Sequence, residues 1–197
     1  MRPEDVAGLT RGEIGDFDPD QFKNLDPKAM EGFKPGQVKA LSPEVFEAMR
    51  PDQFKNLDPK AMEGFKPGQV KVLSPEVFEA MRPDQFKNLD PKAMRGINAN
   101  QLAEFDPAVM KQFEPNQFQA LPKGAFAGFK SNQIKKLPLD LMDYFSAGMV
   151  EQLPDSAISG FKAKNFLSLS QDALGALVDS QIAALSAKIM KLSLIHI

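Results

Sequence analysis

Apolar side chains recur along this chain with a period of eight. Cut from residue 1, the sequence divides into twenty-four octads ending at residue 192, without insertion or deletion, and positions 1 and 6 of every octad are apolar. Phe33-Lys-Pro-Gly-Gln-Val-Lys-Ala40, Leu41-Ser-Pro-Glu-Val-Phe-Glu-Ala48, Met49-Arg-Pro-Asp-Gln-Phe-Lys-Asn56 and Leu57-Asp-Pro-Lys-Ala-Met-Glu-Gly64 show the pattern. All sixteen phenylalanines and nine of the ten methionines stand on those two positions, which therefore define the expected core. A strand cannot carry it. Positions 1 and 6 have opposite parity and would point to opposite faces of a sheet.

Proline sets the length of the elements. Thirteen of the sixteen prolines stand at position 3, from Pro3 to Pro115, and the other three, Pro122, Pro138 and Pro154, at position 2. A proline every eight residues excludes one long helix, since each removes an i to i−4 bond and clashes with the preceding turn. The same residue suits the first turn of a short helix. In Leu41-Ser42-Pro43-Glu44 the serine can cap the first amides and the glutamate suits the positive end; Asp26, Asp58, Ser74, Asp90 and Asp106 repeat the cap. The spacing predicts a helix from position 3 to position 8, about 9 Å long, with position 1 of the next octad closing the turn. Such a helix does not survive alone. Two buried anchors contribute about 1.5–3 kcal/mol each, against about 1–2 kcal/mol for every residue ordered. The expected fold is an all-α solenoid of about twenty-three short helices, one per octad, stabilised by stacked neighbours.

Longer periods lie inside the short one. Position 5 is Gln in alternate octads, Gln21, Gln37, Gln53, Gln69, Gln85, Gln101, Gln117 and Gln133, then Gln181, with Ala29, Val45, Ala61, Val77, Ala93, Val109, Ala125 and Leu141 between them. The structural unit is therefore expected to be sixteen residues, two short helices. The glutamines are expected to bond backbone groups left free at the tight turn of a neighbour; the alternative is a polar track in a peptide-binding groove. Position 7 alternates between Lys23, Lys39, Lys55, Lys71, Lys87 and Glu31, Glu47, Glu63, Glu79. If one superhelical turn takes sixteen residues, these form separate basic and acidic ridges, and two arrays would pair weakly side by side at low salt.

A third period is thirty-two: residues 33–64 and 65–96 differ only at Ala40/Val72 and Glu63/Arg95, and Gly32, Gly64, Gly96, Gly128 and Gly160 share the spacing. The glycines read both as inherited from a duplication and as left-handed helix ends. The octads diverge after about residue 97 and lose charge after about residue 145, without a linker, so residues 1–191 read as a single array. Neither end shows the polar cap that a solenoid needs, and a fragment of a longer array is expected. Leu192-Ser-Leu-Ile-His-Ile197 abandons the octad and reads as a non-native tail.

Composition then narrows the chemistry. The chain has no cysteine, and its single histidine, His196, lies in that tail, so the usual nucleophile–base pairs and thiolate or imidazole metal sites are not expected. Asp16, Asp18 and Asp20 alternate as in calcium loops, but the glycine and distal glutamate of such loops do not follow, and capping roles are expected. Net charge is −2, with 24 basic and 26 acidic side chains. Only the lysine row invites nucleic acid, and the glutamates beside it, with every phenylalanine committed to the core, make that a distant alternative. No stretch is long and apolar enough to span a bilayer. A non-enzymatic protein without cofactor or metal is expected.

The octads Phe33–Ala40 and Phe65–Val72, apolar-x-Pro-x-Gln-apolar-x-x, resemble the tandem octapeptides of the L-[S/T]-x-x-Q-[I/V]-x-x type in very long bacterial secreted and surface-associated proteins. The likeness covers almost the whole array, with Pro where those repeats often carry Thr, and Phe or Met where they carry Leu or Ile. It implies an extended helical stalk or adhesive region, a secreted or surface location, and no catalytic residue.

Overall fold

A computed structural model describes residues 1–185 and residue 189; the tail Leu192–Ile197 lies outside them. Among the described residues there are seventeen short α-helices and six 3-10 segments, and no strand. The protein is an all-α solenoid of short helices, as the octad predicts. Residues 33–64 show the plan: helices Pro35–Val38, Pro43–Glu47 and Pro51–Lys55, then a 3-10 turn Pro59–Gly64.

Each helix begins and ends for local reasons. The residue before proline is extended, as at Ser42 (φ −75°, ψ 156°), because proline disfavours helical dihedrals there. Capping oxygens then meet the first amides: Ser42 Oγ accepts from Val45 N–H at 3.4 Å, and Asp26, Asp58, Asp90 and Asp106 accept from the amide two residues on at 2.6–2.8 Å. Ser74 makes no such bond. The turn closes where position 1 donates back to position 6, as Leu57 N–H does to the Phe54 carbonyl at 3.0 Å. All six 3-10 segments fall in octads whose position 5 is Ala, Val or Leu, and every described Gln octad is α-helical. The sixteen-residue pair of helices is thus visible in the backbone.

Positions 1 and 6 are buried as expected, and position 5 is buried with them. The exceptions reveal a direction. Of the position 1 side chains in the first half, only those of the first four octads, Met1, Leu9, Phe17 and Leu25, are not buried, whereas position 6 of the same octads, Val6, Ile14, Phe22 and Met30, is. Toward the other end Leu174 and Ile182, at position 6, lose their cover, whereas of the position 1 side chains there Leu177 is half-buried and Leu169 and Leu185 stay buried. Position 1 therefore packs on the turn before it and position 6 under the turn that follows.

Contacts gather the chain into two compact units, Met1–Ile97 and a second from Asn98 onward. The division falls where the near-identical blocks end. Within each unit a helix packs on the helix three octads later: Pro43–Glu47 against Pro67–Val72 in the first, Ser131–Ile134 against Asp155–Ile158 in the second. The superhelical turn is therefore much longer than sixteen residues.

The five glycines at thirty-two-residue spacing hold these turns together by being small. None has a positive φ, so they are not left-handed helix ends. A Cβ on Gly64 would lie 2.1 Å from the Pro35 carbonyl oxygen, and Gly32, Gly96, Gly128 and Gly160 face Pro3, Pro67, Ala99 and Ser131 in the same way at 1.9–2.3 Å. Each lets a position 8 backbone settle onto position 3 of the turn beneath.

Candidate interaction surface and the glutamine ladder

A helix of five residues leaves nearly all of its terminal amides and carbonyls without an internal partner. The glutamine at position 5 serves both kinds at once. Gln69 is buried; its Oε1 accepts from Lys66 N–H at 2.8 Å, closing the start of its own helix. Its Nε2 donates to the carbonyls of Val38 at 2.9 Å and Leu41 at 2.7 Å, on the turn beneath. Gln37 reaches Val6 and Leu9, Gln53 reaches Phe22 and Leu25, and Gln85 reaches Phe54 and Leu57, all at 2.7–3.0 Å. In the second unit Gln133 reaches Leu102 and Phe105, and Gln181 reaches Val150 and Leu153. Each strap spans 31 and 28 residues. One superhelical turn thus takes between three and four octads.

Gln101 and Gln117 are buried, and each accepts from the N–H that opens its own helix, Asn98 and Glu114. Gln21 accepts from Asp18 N–H at 3.4 Å and is exposed. Among the described residues no buried side-chain nitrogen or oxygen lacks a hydrogen-bond partner. The glutamines are ties between turns.

A second strap escapes the sequence reading. Basic residues at position 2 reach the position 7 carbonyl 27 residues earlier: Lys34 Nζ to Ala7 at 2.8 Å, Arg50 Nη1 to Lys23 at 2.7 Å, and Arg82 Nη1 to Lys55. Asp52 steadies Arg50 at 3.0 Å and Asp84 steadies Arg82 at 3.1 Å. The Arg50 hydrogen bond holds the Asp52 carboxyl below the usual carboxylate range. Asn24, Asn56 and Asn88 cover the carbonyl four residues back at 2.7–2.9 Å. The clue was present as Lys34, Arg50, Lys66 and Arg82 at position 2 of alternate octads, the same octads that carry Gln.

The position 7 charges, Lys23, Lys39, Lys55, Lys71, Lys87, Glu31, Glu47, Glu63 and Glu79, are all exposed. They do not sort into a basic and an acidic ridge. Packing three octads apart is an odd step in an alternating row, so lysine helices meet glutamate helices: Pro19–Lys23 packs on Pro43–Glu47, Pro51–Lys55 on Pro75–Glu79, and Pro83–Lys87 on Pro59–Gly64, which carries Glu63. The sixteen-residue turn on which separate ridges depended is not the turn that forms. Lysine and glutamate helices therefore meet across turns instead.

In the calcium-like run, the Asp18 carboxylate caps a helix, and Asp16 and Asp20 supply backbone groups to helix ends. Asp18 Oδ1 accepts from Gln21 N–H at 2.7 Å, the Asp20 carbonyl accepts from Asn24, and Asp16 ends the helix Arg11–Gly15. Among the described residues no group of three or more His, Cys, Asp or Glu side chains is placed to hold a metal, and no helix is long and apolar enough to cross a membrane. One cleft of about 720 Å³ opens in the second unit, over octads three apart, lined by Lys123, Ser146, Gly148, Glu151, Asp172 and Gly175 among others. The Lys123 ammonium lies across it, 2.8 Å from where a Cβ on Gly148 would stand. No protein-family model matches the chain, and a search of curated proteins finds no match to it.

Proposed function

We propose that this protein is a non-enzymatic repeat scaffold, an extended stalk, spacer or adhesive region of a large bacterial protein of the octapeptide kind it resembles, secreted or at the cell surface. The carrying observation is where the recurrent polar side chains go. The glutamine ladder is spent joining each turn to the one beneath, as at Gln69 with Val38 and Leu41. Sign-alternating charges on the outside suit solubility better than a track for phosphates, and self-association through them is weak and salt-sensitive.

Removing residues 65–96 tests this reading. The cut takes out four whole octads and leaves the register of straps and glycines intact, so the shortened chain should unfold cooperatively and show a smaller hydrodynamic radius. A chain that no longer folds would count against a spacer. The rival reading is a groove for an extended peptide, favoured by the cleft at Lys123, Gly148, Glu151 and Asp172. Selection of a peptide consensus whose binding is lost in Gly148→Leu, whose Cβ would meet the flexible end of Lys123 first, would favour the groove.

A further inference from the structure

One interface between turns in the second unit has no glutamine strap. By the 28 and 31 spacing, residues 145–176 should be tied to residues 113–144 through positions 149 and 165. Those positions hold Met149 and Asn165. A thioether has no proton to donate, and Asn is one methylene short of Gln. Met149 Sδ keeps only the inner half of the arrangement, a 3.5 Å contact from Ser146 N–H, and neither side chain bonds the carbonyls of Phe118, Leu121, Ile134 or Leu137.

Three further observations fall on the same interface. Burial is looser at four of the six matching positions: Met149, Asn165, Phe166 and Leu169 are 6–9 % exposed, while Val150 and Leu153 stay within the 0–3 % of Gln69, Val70, Leu73, Gln85, Phe86 and Leu89 in the first unit. The octads of 145–176 have no position 3 proline to fix their helix starts, and Pro154 is their only proline. The cleft of about 720 Å³ runs along the same stack of octads. What closes the interface is apolar, chiefly Phe145 against Phe118 at 4.9 Å and Phe126 at 5.9 Å between ring centroids. The interfaces on either side are laced, by Gln133 to Leu102 and Phe105 and by Gln181 to Val150 and Leu153.

We propose that the interface between residues 113–144 and 145–176 is a built-in opening joint, at which one turn lifts reversibly from the next while the glutamine-laced interfaces beside it stay closed. Apolar faces re-form contact without a fixed pattern of donors and acceptors, whereas a laced interface must break and restore several directed bonds. The joint rests on the packing of the second unit and not on the spacer reading.

Amide hydrogen exchange on the full chain tests it. The amides of Val150, Phe166 and Leu169 should exchange at least about tenfold faster than those of Val70 and Phe86, and Met149→Gln with Asn165→Gln should slow them by about tenfold. The reciprocal pair, Gln69→Met with Gln85→Asn, should carry fast exchange into residues 65–89. The joint is overturned if exchange at 145–169 matches that at 65–86, or rises steadily toward residue 185 as in end fraying. It is equally overturned if the Gln-restored chain keeps a native circular dichroism spectrum and exchanges at the original rate. Should that variant not fold, the reciprocal pair decides alone.

Discussion

The first unit, Met1–Ile97, and the second, from Asn98 onward, each build the same kind of short-helix stack with different amounts of local support. In residues 33–96 every octad has its proline at position 3, each Gln helix is tied to the turn beneath, and Arg50 and Arg82 add a second tie. In the second unit only Pro107 and Pro115 keep position 3; beyond them prolines shift to position 2, where Pro122, Pro138 and Pro154 take the cap position and offer no capping oxygen, and they cease after residue 154. Two of the ties are gone. Burial at positions 1, 5 and 6 nevertheless continues through Leu169 and Ala173. Helix starts and individual straps are dispensable to the architecture, then, while the three-position core is not. Short helices draw their stability from tertiary packing more than from their own ends.

The harshest way to break that core is Phe46→Asp. Phe46 is about fully buried, with Phe65 at 5.0 Å between ring centroids, and an unpaired carboxylate there should cost several kcal/mol, roughly 4 or more. Glu47→Ala, one residue on and exposed, should change stability by less than about 0.5 kcal/mol. Urea unfolding of the two variants checks the register directly. Equal losses would mean that positions 6 and 7 are not inside and outside.

Gly64→Ala asks whether turn-to-turn contact is as tight as the glycines imply. The added Cβ meets the Pro35 carbonyl oxygen at 2.1 Å and its carbon at 2.8 Å, backbone atoms that cannot swing aside. A loss of about 2–3 kcal/mol is expected. Gly68→Ala, with nothing within 4 Å, should be neutral or stabilise by about 0.4–1 kcal/mol by restricting the unfolded chain. A mild Gly64→Ala would mean that the turns relax apart at little cost.

These glycines also show where the sequence stopped being legible. Period eight identified the helices, their starts and two of the three core positions, because each follows from neighbours in sequence. The superhelical turn did not follow, since periods of sixteen and thirty-two are properties of the repeated text, whereas packing at 24 residues and bonding at 28 and 31 depend on how the dihedrals of several short helices add up. Gly64 was therefore open to a local reading, a left-handed end, when its partner Pro35 lies 29 residues away. The charge rows failed for the same reason: Lys23 and Lys39 are periodic in the text, but the helix of Lys23 packs on the helix of Glu47. The expectation for Gln69 succeeded because hydrogen-bond accounting needs no knowledge of the turn.

Glutamine exchange sharpens the comparison between units. Gln69→Leu would leave Lys66 N–H and the Val38 and Leu41 carbonyls without their side-chain partner, costing about 2–4 kcal/mol. Asn165→Gln should move the other way, stabilising by about 0.5–1.5 kcal/mol if the longer amide reaches Ile134 and Leu137. Measured by urea midpoint in the same chain, the two substitutions should have opposite signs. A destabilising Asn165→Gln would mean that the second unit has repacked around the shorter side chain.

Acid should produce the smallest difference. Glu13 is held below the ordinary carboxylate range first by the Thr10 N–H and then by its hydroxyl, Glu44 by its own N–H and then the Ser42 hydroxyl, and Asp52 by Arg50. All three lie in the first unit, at helix starts where a negative charge is favoured. A depressed folded-state pKa contributes stability that is present above the unfolded value, about pH 4, and is lost as pH falls through the folded value. These side chains are exposed, so water and salt screen the effect and only a small decline is expected. Exchange rates followed from neutral pH to about pH 3, after correction for the intrinsic pH dependence of exchange, should show protection fall in helices Arg11–Gly15, Pro43–Glu47 and Pro51–Lys55 as these carboxylates become protonated. Protection unchanged there, or improved on acidification, would show that the capping carboxylates do not support the helices they begin.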